Sequence, residues 1–270
     1  MQVASKVFVV TGGGNGIGRE VVLGLLQRGA TVAAVDLRAD SLEQTVALAA
    51  AGDRLTVHTC DIGDRDAVEG LAQEVVATHG HVDGLLNVAG IIQQFLPFAD
   101  LTYEEMERVL RVNLWGTIHT TKAFLPALTA RPEACLVNVS SMGGFLPVPG
   151  QTLYGASKAA VKLLTEGLYS ELRSTPVAVT IVFPGAIGTD ISKNSGVAAP
   201  GGSREVPEGE TTHRMTPAPD AARQIIEDAV EKGRYRVTVG KDATMLDRIS
   251  RLAPQRATDL IAKKMADLLG

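Results

Sequence analysis

Seven short runs rich in β-branched residues, at 6–11, 31–36, 54–61, 84–89, 135–140, 177–183 and 234–240, alternate along this chain with stretches of helical spacing. Each run is bounded by Gly, Asp or Pro and is apolar on both faces, the pattern of a strand covered from each side. Between them, Thr102 and Glu105 form a capping box opening a helix that carries Met106, Val109, Leu110 and Leu114. Strands buried on both faces and separated by helices predict a parallel sheet with helices packed on each side. The expected fold is therefore α/β, a doubly wound, seven-stranded parallel sheet spanning residues 1–270 as a single domain. Ligands bind such a sheet beyond the carboxyl ends of its strands.

A net charge of −4 leaves no basic stripe to neutralise phosphate backbones or anionic lipid, which argues against nucleic-acid partners. Residues 1–5 precede the first strand and are too few for a signal peptide, and no span reaches membrane-helix length. Cys60 and Cys135 lie in separate apolar segments without CxxC spacing. Together these features predict a soluble, cytoplasmic protein with reduced thiols. Among His58, His79, His81, His119 and His213 only His79 and His81 are close in sequence, and they read as a solvated turn rather than a metal site.

Two segments stand apart from the alternation. Residues 192–219, rich in Gly, Ser, Glu and Pro, follow a strand end and are expected to form a substrate lid, with a disordered insertion as the rival reading. In residues 243–270, Met245, Leu246, Ile249 and Leu252, then Leu260, Ile261, Met265, Leu268 and Leu269, fall near helical spacing. They predict an amphipathic tail packed on its own subunit or on a partner rather than on a membrane.

Residues 7–10 lead into Thr11-Gly12-Gly13-Gly14-Asn15-Gly16-Ile17-Gly18 and then into a helical stretch ending at Gly29. Strand, glycine turn and helix in that order let backbone approach a pyrophosphate at a helix amino end. Asp36 ends the next strand eighteen residues after Gly18, where a carboxylate can accept ribose hydroxyls and repel a 2′-phosphate. NAD is therefore expected over NADP, with Arg38 read as a solvated surface charge. Asp61, closing the third strand, either holds the adenine amino group or caps the next helix.

Tyr154 and Lys158 stand four residues apart on one helical face, whereas Tyr103, Tyr169 and Tyr235 have Glu107, Arg173 and Val239 at that spacing. Free tyrosine has a pKa of about 10, and a neighbouring ammonium stabilises the phenolate, so the pair suits proton transfer at an alcohol or carbonyl oxygen. Ser141, thirteen residues earlier, follows a strand, where its hydroxyl can meet a reacting oxygen. Asn113 lies inside the helix opened by Thr102, a poor place for asparagine.

Taken jointly, the 11–18 turn, Asn87-Val88-Ala89-Gly90, Asn113, Ser141, the Tyr154–Lys158 pair and Pro184-Gly185 resemble the ordered motifs of the short-chain dehydrogenases/reductases across nearly the whole chain. That resemblance implies a Rossmann fold with Tyr154 as acid/base and Ser141 orienting the substrate oxygen. Lys158 would lower the Tyr154 pKa and bind the nicotinamide ribose, and Asn113 would hold a relay water. Cofactor contacts implied with it are Gly12, Asn15, Gly16, Ile17 and Gly18, then Asp61 and Ile62, then Asn87, Ala89 and Gly90, with the stretch from Asn87 to Gly90 supporting the sheet as well. Pro184, Gly185, Ile187 and Thr189 would meet the nicotinamide. The expected activity is NAD-dependent hydride transfer on a hydrophobic secondary alcohol or ketone, with Phe95, Leu96, Phe145, Leu146 and Val148 suggesting an apolar pocket. The resemblance also implies a homodimer or homotetramer. Two other readings are an NADPH-dependent 3-oxoacyl-carrier reductase, which Asp36 opposes, and a non-catalytic NAD(H) sensor, which a lost motif residue would have supported.

Overall fold

The structure is a computed structural model that describes residues 1–198 and 215–265. His213, the middle of the expected lid, and Leu268 and Leu269 of the tail lie outside the described residues. The strands are β1 (Val7–Thr11), β2 (Thr31–Asp36), β3 (Leu55–Thr59), β4 (Gly84–Asn87), β5 (Ala134–Val139), β6 (Val177–Pro184), β7 (Ile187–Gly188), β8 (Thr216–Pro217) and β9 (Arg236–Val239). The helices are α1 (Gly16–Gln27), α2 (Ala39–Ala49), α3 (Arg65–His79), α4 (Tyr103–Leu110), α5 (Gly116–Thr129), α6 (Thr152–Glu171), α7 (Ile191–Asn194), α8 (Ala218–Ile225), α9 (Lys241–Leu252) and α10 (Pro254–Lys264).

Each of the seven apolar runs supplies one strand of a parallel sheet in the order β3-β2-β1-β4-β5-β6-β9. The order reverses between β1 and β4, where Thr11 pairs with Asn87, and a crevice opens beyond those strand ends. Successive residues of a strand point to opposite faces, so Phe8 and Val10 pack with Val21, Val22, Leu25 and Ile225 on one side. Val9 packs with Val68, Val75, Phe124 and Leu128 on the other. Full burial of each such Leu or Phe contributes about 1.5–3 kcal/mol, and the two layers fix the helices that carry the site.

Several details differ from expectation. The β7–β8 pair joins residues far apart in sequence and is too short to leave an apolar pattern. The Thr102 hydroxyl accepts from the Glu105 N–H (3.3 Å), but the Glu105 carboxylate turns to the Gln94 N–H (3.2 Å) and Arg108 (2.9 Å), so only half of the capping box forms. The helix expected to run through Leu114 stops at Leu110 and passes through a π-helical turn, Arg111–Trp115, before α5. The tail is two helices, and Leu246, Ala257 and Ile261 bury against Leu146, with Met142 and Phe145 alongside. Leu146 is thus core, whereas Phe145 is half-buried and packs edge-on against Phe183 at 5.3 Å. His79 ends α3 and bonds Thr56 (3.0 Å) instead of standing in a solvated turn, while His81 lies 3.2 Å from buried Asp83. Among the described residues no helix is long and apolar enough to cross a membrane.

Candidate active site

The end of β1 and the start of α1 are so closely apposed that a Cβ at Gly18 would collide with the Gly12 carbonyl. Asn15 occupies the N-cap position of α1 without capping it, and its Nδ2 is buried with no partner. An orphaned donor beside the unbonded first-turn amides is a suitable seat for an anionic group, so these residues fit a dinucleotide pyrophosphate. Asp36 is held at the edge of the same crevice, accepting from the Gly14 N–H (2.9 Å) and the Arg38 N–H (3.1 Å).

A cavity of about 230 Å³ lies here. Its walls include Gly12, Asn15, Gly16, Ile17 and Gly18 from the turn, Asp36, Asp61 and Ile62 from the adjacent strand ends, and Ala89, Gly90 and Thr189 opposite. The structure therefore gathers most of the cofactor residues read from the sequence. Asn87, Pro184, Gly185 and Ile187 lie outside these walls. The Asn87 amide is consumed within the core by Thr121 (3.1 Å), Asn138 (2.9 Å) and Thr120 (2.8 Å). Gly185 packs on Asp242, and Ile187 packs on the core cluster.

Asp61 is not the cap of α3. That role belongs to Asp64, which accepts from the N–H groups of Asp66 (3.0 Å) and Ala67 (3.1 Å). Asp61 instead accepts from the Gly63 N–H (2.8 Å) and pairs with Arg111 (2.6 Å). Burial raises its pKa, but the Arg111 and Gly63 hydrogen bonds outweigh that and leave it below the usual carboxylate value. Arg38 is not a solvated surface charge either: it lines the cavity and donates to Asn194 Oδ1 at 3.0 Å.

At the other end of the crevice, β5 delivers Ser141 and α6 presents Tyr154 and Lys158 on successive turns. A Cβ at Gly143 would stand 3.4 Å from Tyr154 Cε1 and 3.5 Å from Ser141 Oγ, so ring and hydroxyl converge on one spot. Lys158, 4% exposed, donates to the Val139 carbonyl (3.0 Å), and burial pushes its pKa down to about 8. Burial raises the Tyr154 pKa more than the Ser141 hydrogen bond lowers it. The Lys158 ammonium is turned to the Val139 carbonyl in this arrangement, and burial is the leading influence on Tyr154. Gly90 leaves room for this cluster, since a Cβ there would stand 2.9 Å from Lys158 Nζ and 3.2 Å from Asn113 Oδ1.

Asn113 sits in the π-helical turn, fully buried. Its side chain clamps the Ile91 backbone (2.8 and 2.9 Å) and donates to Ser157 Oγ (3.0 Å). With the side chain so engaged, only its main-chain carbonyl, which also accepts from Thr117 Oγ1 (2.9 Å), is left to hold a relay water. Sequence reasoning missed Gln93, whose buried Oε1 accepts from the N–H groups of Leu153 (2.8 Å) and Tyr154 (3.0 Å) and whose Nε2 donates to the Gly150 carbonyl (3.0 Å). It caps α6 from sixty residues away, a separation that leaves no local signal.

Comparison with known proteins agrees with this geometry. Residues 6–199 match the family described as short chain dehydrogenase. SadH of Mycobacterium tuberculosis (strain H37Rv), which bears an oxidoreductase name, is 37% identical over 265 residues, covering 97% of this chain and 95% of that protein. A short chain dehydrogenase/reductase from Burkholderia phymatum in complex with NAD superposes with a TM-score of 0.84 at 26% identity, covering 94% of this chain and 96% of that one. A short chain dehydrogenase from Burkholderia cenocepacia in complex with NADP gives a TM-score of 0.80 at 26% identity, covering 97% and 99%. With the parallel sheet, the glycine turn at its switch point and the Ser141, Tyr154 and Lys158 cluster all accounted for, the chain belongs to the short-chain dehydrogenase/reductase family of nicotinamide-dependent oxidoreductases.

Proposed function

We propose that this protein is an NAD(H)-dependent dehydrogenase/reductase that interconverts a hydrophobic secondary alcohol and its ketone. The observation that carries the reading is the convergence of Tyr154 and Ser141 beside a crevice whose ribose end holds the Asp36 carboxylate. Relatives of known structure include both NAD and NADP complexes, so the cofactor is argued from this chain's own residues. Asp36, fixed by two backbone N–H groups, would accept ribose hydroxyls and repel a 2′-phosphate.

When bound, the nicotinamide ring supplies the hydride acceptor for oxidation and the donor for reduction. The residues do the remainder. The Tyr154 hydroxyl gives its proton to the ketone oxygen in reduction, and burial, which raises its pKa above the ordinary tyrosine value, keeps it protonated before that step. Ser141 Oγ accepts from the Gly143 N–H (3.0 Å), and its own proton, which meets Tyr154 in the absence of substrate, would turn to the reacting oxygen. In oxidation the proton moves the opposite way, and the Lys158 ammonium favours the phenolate that takes it. Phe95, Leu96, Phe145 and Val148, all partly buried, remain as apolar candidates for the substrate wall, without Leu146.

The test is oxidation of aliphatic, cyclic and steroid secondary alcohols with NAD, with NADP and Tyr154→Phe in parallel. Tyr154→Phe is expected to bind NADH, followed by its fluorescence, and to lose turnover by about 10²–10⁴-fold, the usual contribution of general acid–base catalysis. Near-normal turnover in that variant would remove Tyr154 from the mechanism, and tighter binding of NADPH than NADH would overturn the cofactor reading.

A further inference from the structure

We propose that Asn194 is a specificity-determining residue that holds Arg38 away from the ribose end of the cavity and so preserves the preference for NAD set by Asp36. The proposal rests on the dinucleotide reading above. Arg38 is the only Lys or Arg among the described residues lining the cavity, which otherwise contains the carboxylates of Asp36 and Asp61. Asp61 is paired with Arg111, so the field at the ribose end depends on Asp36 and on the direction of the Arg38 guanidinium.

That guanidinium does not pair with Asp36. Only the Arg38 backbone N–H meets the carboxylate, while the side chain reaches Asn194 Oδ1 at 3.0 Å, across 156 residues of sequence. The Asp36 carboxylate therefore lines the cavity without a guanidinium paired to it. Released from Asn194, the guanidinium could turn either onto Asp36, cancelling its charge, or onto a 2′-phosphate, which it matches in geometry. Both outcomes weaken discrimination against NADP.

Asn194 is suited to be the fixed partner of the two because α7 is anchored independently at its carboxyl end. Ser195 Oγ accepts from the Ile92 N–H (3.0 Å), and the Ser195 carbonyl accepts from Arg108 (3.2 Å). The Asn194 N–H bonds the Asp190 carbonyl (2.8 Å). Removing Arg38 would leave this anchorage in place, whereas removing the Asn194 amide frees a long, half-buried side chain.

The experiment measures NADH and NADPH dissociation constants on the intact protein by dihydronicotinamide fluorescence, with no substrate needed. In Asn194→Ala the ratio of the two constants is expected to move toward NADPH by about tenfold, the scale of one charge-assisted hydrogen bond. Asn194→Asp retains an acceptor for the guanidinium and should keep the wild-type ratio or sharpen it. The Asn194→Ala/Arg38→Ala pair should lose the gain, because the cation that meets the phosphate is gone. An unchanged ratio in Asn194→Ala, or a gain that survives in the double variant, overturns the proposal. If the wild-type protein binds NADPH more tightly than NADH, the NAD reading fails, and the shift in the Asn194→Ala ratio still decides the role of Asn194. Binding of neither dinucleotide would overturn both.

Discussion

Lys158 illustrates how one residue serves chemistry at the expense of stability. Burial holds its pKa at about 8, against an ordinary value of 10.5, so between those values the unfolded chain binds more protons than the folded one. The destabilisation is complete below pH 8 and vanishes as the pH rises to 10.5, a swing of about 3 kcal/mol. Urea unfolding of wild type and Lys158→Met over that window should show wild type gaining about that amount relative to the variant as pH rises. Parallel pH dependence would mean that the ammonium is as well solvated folded as unfolded. The type and spacing of Tyr154 and Lys158 were legible in the sequence because both lie on one helix. The direction of the ammonium was not, because the Val139 carbonyl it meets belongs to a different element.

At the level of elements, a buried amide–hydroxyl chain ties β4, β5, α5 and α6 together. Asn87 donates to Asn138 (2.9 Å), Asn138 donates to Thr165 Oγ1 (2.9 Å), and Thr120 donates to Asn87 (2.8 Å). The chain sets α6, and hence Tyr154, against the sheet. Asn138→Leu would remove one hydrogen bond from each of two buried partners, leaving Asn87 to Thr121 and Thr165 to the Val161 carbonyl, and a loss of about 1–3 kcal/mol in urea unfolding is expected. A loss below about 0.5 kcal/mol would show the chain to be incidental to stability. The strands themselves were readable because parallel strands covered on both faces are apolar at every position. The π-helical turn at Arg111–Trp115 was not readable, since Asn113 meets the Ile91 backbone only once the turn has docked beside the segment that follows β4. Asn87 read as supporting both the sheet and the cofactor, and the folded protein places its side chain inside the sheet–helix core.

Across the whole molecule, the end of the chain supports the segment that follows β5. Leu246 of α9 and Ala257 and Ile261 of α10 enclose Leu146, five residues past Ser141, so the loop bearing a site residue rests on the carboxyl-terminal helices. Leu246→Ala should cost about 2–3 kcal/mol, at the lower end for a buried leucine because the cluster is small. Limited proteolysis should then cut between α9 and α10 earlier than in wild type. A variant as stable and as protease-resistant as wild type would show that the helices are not coupled to the loop.

The sequence alone determined the parallel α/β sheet, the glycine turn at its switch point and the residue types gathered around Tyr154. Those features follow from local periodicity, from backbone freedom at glycine and from spacing within single elements. Only the tertiary structure decided that Arg38 turns to Asn194, that Gln93 caps α6, that Asp64 rather than Asp61 caps α3, and that Leu146 is core. The Arg38, Gln93 and Leu146 contacts join residues distant along the chain and exist only after the layers have packed. The α3 cap falls to Asp64 because the helix begins at Arg65, and Asp61, three residues earlier, pairs with Arg111.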